Sequence, residues 1–574
     1  MLKYIWSIPN PLYRLASRPN FINKGIIGVY FFIYSNRIDK NIQIMYTMKS
    51  LVIVWCRGNR VWLPIFREDT MAFLSPEEHR FLEAVSKINY VNPFLPERIE
   101  YEREALQTDF DESKANWNLL GDDPDFHLVN TRKITGRAYP ILAKLQELLK
   151  NGVKATPKEL ELYEDTAIFL LYHYYAQQFK DRIIEPQKDQ TYKFFKEFSQ
   201  YWGRLFDITG HNLPKDREAA HIFACIFQVR RAFLYIFRAI VGRSSVAANL
   251  RAAVWNSIFT YDMQRYRRTF FKCMGDFATL IIGPTGSGKE LVATAIGRSR
   301  YIPFNSETLT FEKDFAETFF PINLAALPTT LVESELFGHR RGAFTGAIED
   351  RRGWLEVCPP EGSIFLDEIG ELDPLVQVKL LRVMQARTFQ CLGSTKTLAF
   401  EGKIMAATHR DIHQAMETGK FRKDLYYRLC SDIITTPSLN QQIQESPEVL
   451  WDLVGYITKR IAGSESERLA EEVKSWIRDR LGLEYTWPGN IRELEQCVRN
   501  VVIRREYHPA MDKPQEQDKE FIASMREGTL SLEAMCRLYC TQIYNQVGSY
   551  AETARRLKID QRTVKKYVAG SKLH

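Results

Sequence analysis

No two cysteines in this chain stand in a Cys-x-x-Cys spacing; the nine present are scattered and odd in number. That pattern excludes a disulfide framework and a zinc ribbon, and it suits reduced core thiols in a cytosolic protein. Cys536 and Cys540 lie four apart on a helical pattern, with no neighbouring His or Cys to complete a metal tetrad. Long apolar runs are also missing near the start. Gly25–Tyr34 spans ten residues and is closed by Ser-Asn-Arg, whereas a membrane span needs about 20; no signal-peptide cleavage site follows. Neither sign of charge dominates: 78 Lys+Arg face 70 Asp+Glu, a net +8. The excess lies at the ends, with nine Lys/Arg against Asp39 alone in residues 1–60 and seven against two acids from Gly548 onward. Apolar and charged shares of 45% and 26% are those of an ordinary globular chain, which excludes a disordered or collagen-like polymer. A length of 574 residues corresponds to about three or four domains.

Residues 1–71 read as a basic leader, acid-poor like a transit peptide, with Met48 and Met71 as later possible starts. From Ser75 to Arg251 the pattern is helical. Pro76–Val85, Ile141–Leu149 and Ala219–Val241 space their apolar residues three and four apart, so 72–250 is expected to be an α-helical regulatory or sensor domain. The aromatic stripe Tyr172, Tyr174, Tyr175, Phe179 reads as packed core in preference to a ligand pocket. This region has no glycine-rich phosphate loop and no phospho-acceptor constellation. After Ala252 strands alternate with helices: Thr279–Ile282, Ser363–Asp367 and Lys403–Thr408 are apolar strands, and Pro374–Ala386 is helical. Such alternation predicts a parallel sheet covered on both faces.

The first of these strands runs into Gly283-Pro284-Thr285-Gly286-Ser287-Gly288-Lys289-Glu290, and a helix follows. Between strand and helix, that glycine spacing is a P-loop. Its backbone N–H groups curl around phosphate oxygens, the helix N-terminus adds partial positive charge, and Lys289 reaches the β- and γ-phosphates of ATP. Glu290 stands where the general motif has Ser or Thr. About eighty residues on, Ile364-Phe-Leu-Asp367-Glu368 ends an apolar strand in two carboxylates. Asp367 is the candidate Mg²⁺ ligand, and Glu368 the group that orients the attacking water.

Gly342-Ala343-Phe344-Thr345-Gly346-Ala347 is a loop whose glycine ends permit mobility and whose Phe is displayed at the tip. With Glu333–His339 before it, this string resembles the signature of sigma-54-dependent transcription activators, the bacterial enhancer-binding proteins of the NtrC family of AAA+ ATPases. The resemblance covers about Ala252–Tyr507. It implies an AAA+ core at 251–435, which contacts sigma-54 through residues 342–347, and a helical lid at 436–508. In this family a Glu follows the P-loop Lys, so Glu290 fits. Asn323 matches the switch asparagine that holds the catalytic Glu368, and Thr408 ends the strand that senses nucleotide. Arg422 and Arg428 match arginines reaching the neighbouring subunit's nucleotide. Arg492, in Trp487-Pro-Gly-Asn-Ile-Arg492, matches a lid arginine acting in cis. Guanidinium groups bind phosphate bidentately, and supplied in trans they make hydrolysis depend on assembly, with rate effects of about 10³ or more. Read without the family, Arg422 and Arg428 are surface arginines paired with Asp424 or Glu417. Three departures stand out: His409 where the family has Asn, Pro284 where it has Glu, and Ser431–Pro447 replacing a Pro-Leu-Arg-rich segment.

Residues 509–528 read as a polar linker. In 529–574, Leu530–Val547 is amphipathic along Leu532, Met535, Leu538, Tyr539 and Ile543. The two short helical segments after it resemble the Fis-type helix-turn-helix of the same activators. Lys558 stands where the turn usually carries Gly, and Asp560 is placed to cap the second helix. Gln561, Arg562, Thr563, Lys565 and Lys566 are the candidate DNA contacts; the bland alternative is a solvated helical appendage. The expectation is therefore a multidomain protein: an α-helical N-terminal region, a central α/β AAA+ P-loop ATPase with helical lid, and a C-terminal helix-turn-helix. It is a cytoplasmic bacterial protein without a membrane anchor, with ATP and Mg²⁺ as cofactors. Its partners are sigma-54 holoenzyme, upstream double-stranded DNA and further copies in a hexameric or similar ring. The alternative is an AAA+ DNA-binding regulator or motor that does not act on sigma-54.

Overall fold

The computed structural model describes residues 44–48, 51–56, 59–64, 73–114, 128–186, 190–211, 213, 217–509, 531–547 and 549–569. Most of the expected leader and linker thus lies outside the described residues. Within the leader, β1 (Ile44–Met48), β2 (Leu51–Cys56) and β3 (Asn59–Pro64) form an antiparallel meander, with Val54 opposite Val61. The β-branched and aromatic run through β2 favours a strand, and the basic composition had obscured it.

The N-terminal helices are α1 (Pro76–Tyr90), α2 (Glu97–Leu106), α3 (Leu128–Lys150), α4 (Pro157–Ile184), α5 (Phe195–Phe206), α6 (Arg217–Ala239) and α7 (Ser245–Phe259). Two of them begin alike. Ser75 and Thr156 accept the N–H of Glu78 and Glu159, whose carboxylates reach back to the capping residue's own N–H, and Pro fills the first helical position. This closes two orphan donors at each start and needs no preceding turn of helix. Of the aromatic stripe in α4, Tyr175 and Phe179 are buried while Tyr174 is exposed. By length and composition, Ala219–Ala239 of α6 could cross a membrane. It is instead largely buried in the core, and it keeps Arg230 and Arg231 buried, Arg231 over the rings of Phe227 and Phe315.

After α8 (Met263–Arg268) the strands begin. They are β4 (Thr279–Ile282), a hairpin of β5 (Phe304–Asn305) and β6 (Thr310–Phe311), β7 (Phe319–Asn323), a second hairpin of β8 (Gly338–His339) and β9 (Arg351–Arg352), β10 (Ser363–Asp367), a third of β11 (Thr388–Gln390) and β12 (Thr397–Ala399), then β13 (Lys403–Thr408) and β14 (Asp432–Thr435). Helix α9 (Lys289–Gly297) follows β4. The five-stranded sheet runs β14-β4-β13-β10-β7, all parallel. All six residues of β13 are buried, as helices on both faces demand. The chain leaves β4 for the far edge at β7, so the strand order reverses beside β4 and opens a crevice at the carboxyl ends. The segment expected as the lid consists of helices Leu439–Glu445, Glu448–Ala462, Ser466–Trp476 and Asn490–Arg504 around their own core.

The β5–β6 hairpin joins the two regions. Phe304 lies 4.6 Å from the Phe223 ring, Phe311 4.6 Å from Phe227, and the Tyr192 N–H donates to the Leu309 carbonyl at 2.8 Å. Phe304 and Phe315 are buried in the same core as Phe198, Trp202 and Phe223. At about 1.5–3 kcal/mol per buried large apolar side chain, the hairpin fastens the helical region firmly to the sheet domain. At the far end of the chain, helices Leu532–Val547, Tyr550–Leu557 and Gln561–Ala569 enclose a small core of Ala554, Val564 and Val568 with Tyr544 and Tyr550.

Candidate active site

The loop between β4 and α9 turns on two glycines, Gly286 at φ +77° and Gly288 at φ +91°. A Cβ at Gly286 would sit 2.3 Å from the Gly489 carbonyl oxygen of the lid, so glycine is required both for the backbone and for the approach. Lys289, 7% exposed, donates to the carbonyls of Gly283 (3.0 Å) and Pro284 (3.1 Å). Burial pulls its ammonium below the ordinary lysine range, opposed by the Glu368 and Asp367 carboxylates. Ser287 binds the Pro284 carbonyl at 2.8 Å and the Thr436 hydroxyl at 2.6 Å, pinning the loop to the chain after β14. Thr408, fully buried, receives the Gly283 N–H on its carbonyl at 3.3 Å, so β13 abuts the loop. Pro284, Thr285 and Glu290 are exposed.

Strand β10 ends at Asp367, opposite Asn323 of β7. Burial raises the Asp367 carboxyl above its ordinary value, and the Glu368 charge adds to this, while Lys289 opposes. Paired carboxylates facing a buried ammonium form a donor set that a divalent cation would satisfy: Mg²⁺ takes oxygen ligands and relieves like-charge repulsion. Glu368 sits in the left-handed region, φ 56° and ψ 49°, a strain of about 1–2 kcal/mol for a non-glycine residue. Its carboxylate lies 2.7 Å from His409 Nδ1. Asn323 does not reach it; the Asn323 carboxamide oxygen accepts the N–H groups of Ala325 (3.0 Å) and Ala326 (3.3 Å) and caps the turn after β7. The structure thus joins Glu368 to His409, where the family pattern pairs it with Asn323.

The lid meets the loop directly. Ile491 N–H donates to the Gly286 carbonyl (3.1 Å), and the Asn490 amide donates to the Thr285 carbonyl (2.9 Å) and accepts from the Leu439 N–H (2.8 Å). Arg492 is exposed, its Cβ 3.1 Å from where a Gly286 Cβ would stand. His409 was singled out in sequence only as a departure from the family pattern, and Asn490 was missed as a site residue. Asn490 sits within the quoted lid motif, and its position directly after Pro488-Gly489 was the available signal.

Arg422 and Arg428 face solvent on the segment Lys423–Leu429 and its cap. The Arg422 guanidinium makes a fork to Asp424 at 3.0 and 2.7 Å, while the Arg428 guanidinium has no partner among the described residues. Neither touches Lys289, Asp367 or Glu368 in the same chain.

The Gly342–Ala347 loop crowns the β8–β9 hairpin. Gly342 (φ +80°) donates to the Ala347 carbonyl at 2.9 Å, Gly346 has φ +103°, and Arg340 grips Asp350 at 2.9 Å across the neck. Phe344, 38% exposed, rests edge-on against the His339 ring at 4.9 Å; Thr345 is exposed and Ala347 is buried. Ala343 packs against Gly393, where a Cβ would come within 2.8 Å.

In the C-terminal unit Lys558 takes the left-handed turn position (φ 53°) and the Asp560 carboxylate accepts the Arg562 N–H at 2.7 Å. Gln561, Arg562, Lys565 and Lys566 are exposed, Thr563 half-buried.

Residues 261–435 match the sigma-54 interaction domain family. The chain is 42% identical over 227 residues to the Nif-specific regulatory protein of Azotobacter vinelandii, covering 40% of each chain. It is 37% identical over 301 residues to the transcriptional regulatory protein ZraR of Klebsiella oxytoca, covering 50% of this chain and 62% of that one. The regulatory protein LuxO of Vibrio cholerae is 38% identical over 245 residues, 42% of this chain and 50% of its own. The chain therefore spans about half the length of the curated relatives it matches. The resemblance to sigma-54-dependent activators holds, as does the expected central parallel-sheet domain behind a helical N-terminal region.

Proposed function

We propose that this chain is an ATP-hydrolysing activator of sigma-54 RNA polymerase. The observation that carries the reading is the meeting of Lys289, Asp367 and Glu368 at one crevice, in the same domain as the intact Gly342–Ala347 loop. The P-loop amides and Lys289 cradle the ATP phosphates, and Asp367 holds the divalent cation. That cation, when bound, neutralises charge building on the phosphoryl oxygens. Glu368 orients the attacking water and His409 positions Glu368. Arg492 acts in cis through the lid, and Arg422 and Arg428 reach the nucleotide of a neighbouring copy, so that turnover requires a ring. Charge that develops beside the partly buried Lys289 and Asp367 meets groups already in place, which strengthens these contacts.

Hydrolysis then moves the loop bearing Phe344 and Thr345 against sigma-54 and carries the holoenzyme from its closed to its open promoter complex. The C-terminal unit acts as a helix-turn-helix: Gln561, Arg562, Thr563, Lys565 and Lys566 contact upstream DNA, and the helix Leu532–Val547, with Leu532, Leu538 and Tyr539 exposed, pairs with a second copy. The helical region 72–250 gates assembly. The test is co-migration of the full chain with isolated sigma-54 in ADP–aluminium fluoride on a native gel. Wild type is expected to shift sigma-54 and Thr345→Ala to lose the shift. Intact ATP hydrolysis without any complex would overturn the sigma-54 reading.

A further inference from the structure

A second cleft, of about 850 Å³, opens away from the nucleotide crevice, between the helical region and the lid. One wall is built from the C-terminal ends of α4 and α6 and the connector 240–243; the other comes from the lid helices Glu448–Ala462 and Ser466–Trp476. Ties between the walls hold it in shape: Arg243 forks onto Asp452 at 2.9 and 3.0 Å, and the Tyr456 hydroxyl donates to the Arg238 carbonyl at 3.4 Å. The volume falls within the range of small-molecule pockets, about 300–1,000 Å³.

Its chemistry has a definite sign. Six Lys and Arg side chains line the cleft against three carboxylates, a formal excess of positive charge; Arg243 and Lys474 are paired with Asp452 and Glu471, Arg251 is held by the Ile240 and Gly242 carbonyls, and Lys180 and Lys459 have partners of their own. The Arg238 guanidinium has no partner among the described residues. Phe237, Trp451 and Tyr456 supply flat apolar surface on both walls. Gly455 is the informative residue. A glycine inside a helix costs about 0.5–1 kcal/mol relative to alanine, yet nothing in this fold requires it, since a Cβ there would meet no atom within 4 Å. The cleft wall is therefore open at this position.

We propose that this cleft is a binding site for a small organic anion with a flat apolar body. The anionic group faces Arg238 and the ring system lies between Phe237 and the lid helix at Gly455. A ligand there touches the helical region and the lid at once. The binding itself does not depend on the ATPase reading above.

The test uses the full chain and 8-anilinonaphthalene-1-sulfonate, an anion carrying a flat naphthalene, followed by fluorescence titration. One saturable site is expected, retained in saturating ADP. Gly455→Trp, which fills the cleft, should weaken it at least about tenfold, and Arg238→Glu at least about fivefold. N-Phenyl-1-naphthylamine, the same rings without the sulfonate, should bind at least about tenfold more weakly. Gly455→Trp has open space at its Cβ and Arg238 is exposed, so both variants should fold, which circular dichroism checks. Displacement by ADP, or an affinity unchanged in Gly455→Trp and Arg238→Glu, would overturn the proposal; equal affinity for the neutral analogue would overturn its anionic part.

Discussion

Asn490→Ala should release the lid from the P-loop, and the size of the effect follows from the contacts. The side chain is 4% exposed. It accepts the Leu439 N–H at 2.8 Å and donates to the carbonyls of Thr285 at 2.9 Å and Pro488 at 3.3 Å. Losing the two shorter bonds and leaving the buried Leu439 donor unpaired costs about 2–3 kcal/mol. Asn490 also holds φ +56°, a region that Asn tolerates and Ala does not, for about 1 kcal/mol more. The total, about 3–4 kcal/mol, corresponds to at least about a hundredfold faster local opening. Hydrogen exchange of peptides covering 283–290 and 439–445 in the full chain reads this directly. Asn490→Gly should be milder than Asn490→Ala by about 1 kcal/mol, because glycine removes the backbone penalty but not the lost bonds. Exchange in Asn490→Ala within about threefold of wild type would refute the coupling, and Gly equal to or worse than Ala would refute the left-handed term.

Three further outcomes are expected. His409→Ala should lower kcat for ATP hydrolysis at least about tenfold with KM nearly unchanged, Glu368→Gln at least about a hundredfold; a His409→Ala enzyme with wild-type kcat would remove its positioning role. Lys403 is buried and its ammonium is pushed down to about 7, with Arg300 and Arg387 adding to the effect of burial and Asp432 opposing. The unfolded chain binds a proton that the folded chain releases, so the native state gains stability as pH climbs from about 7 toward the ordinary lysine value. Thermal melts from pH 7 to 9.5 should show this rise in wild type and a flatter profile in Lys403→Met. Lys558→Gly should stabilise the C-terminal unit by about 1 kcal/mol, since Lys occupies φ 53° there, measured as helix retention on heating; a destabilised unit would contradict the turn assignment.

The P-loop, the strand-end carboxylates and the Gly342–Ala347 loop were legible because each is a run of adjacent residues whose chemistry depends on local spacing. The parallel sheet was legible for the same reason: the apolar β13 reads as a strand buried on both sides wherever it sits. His409 against Glu368 was not, because residues 41 apart meet only when β10 and β13 pair in a particular register. Asn323 shows the converse. Its position opposite Asp367 follows from strand pairing, but a carboxamide has a choice of partners, and the free N–H groups of Ala325 and Ala326 lie closer. The helical region gave its helices to periodicity, yet nothing in the spacing of Phe304 and Phe311 announced that they pack outside their own domain.

That shared aromatic core bears on how such a protein can be taken apart or recombined. A chain cut after Gly242 would bare Phe304, Phe311 and Phe315 on the sheet domain, and would strip Phe223 and Phe227 of their neighbours on the fragment removed. Grafting the helical region onto a different sheet domain without the hairpin would leave the same hole from the other side. The two regions are therefore not interchangeable cassettes; a lineage that exchanges one must exchange the hairpin with it, and sequence change at Phe223 or Phe227 should be answered by change at Phe304 or Phe311.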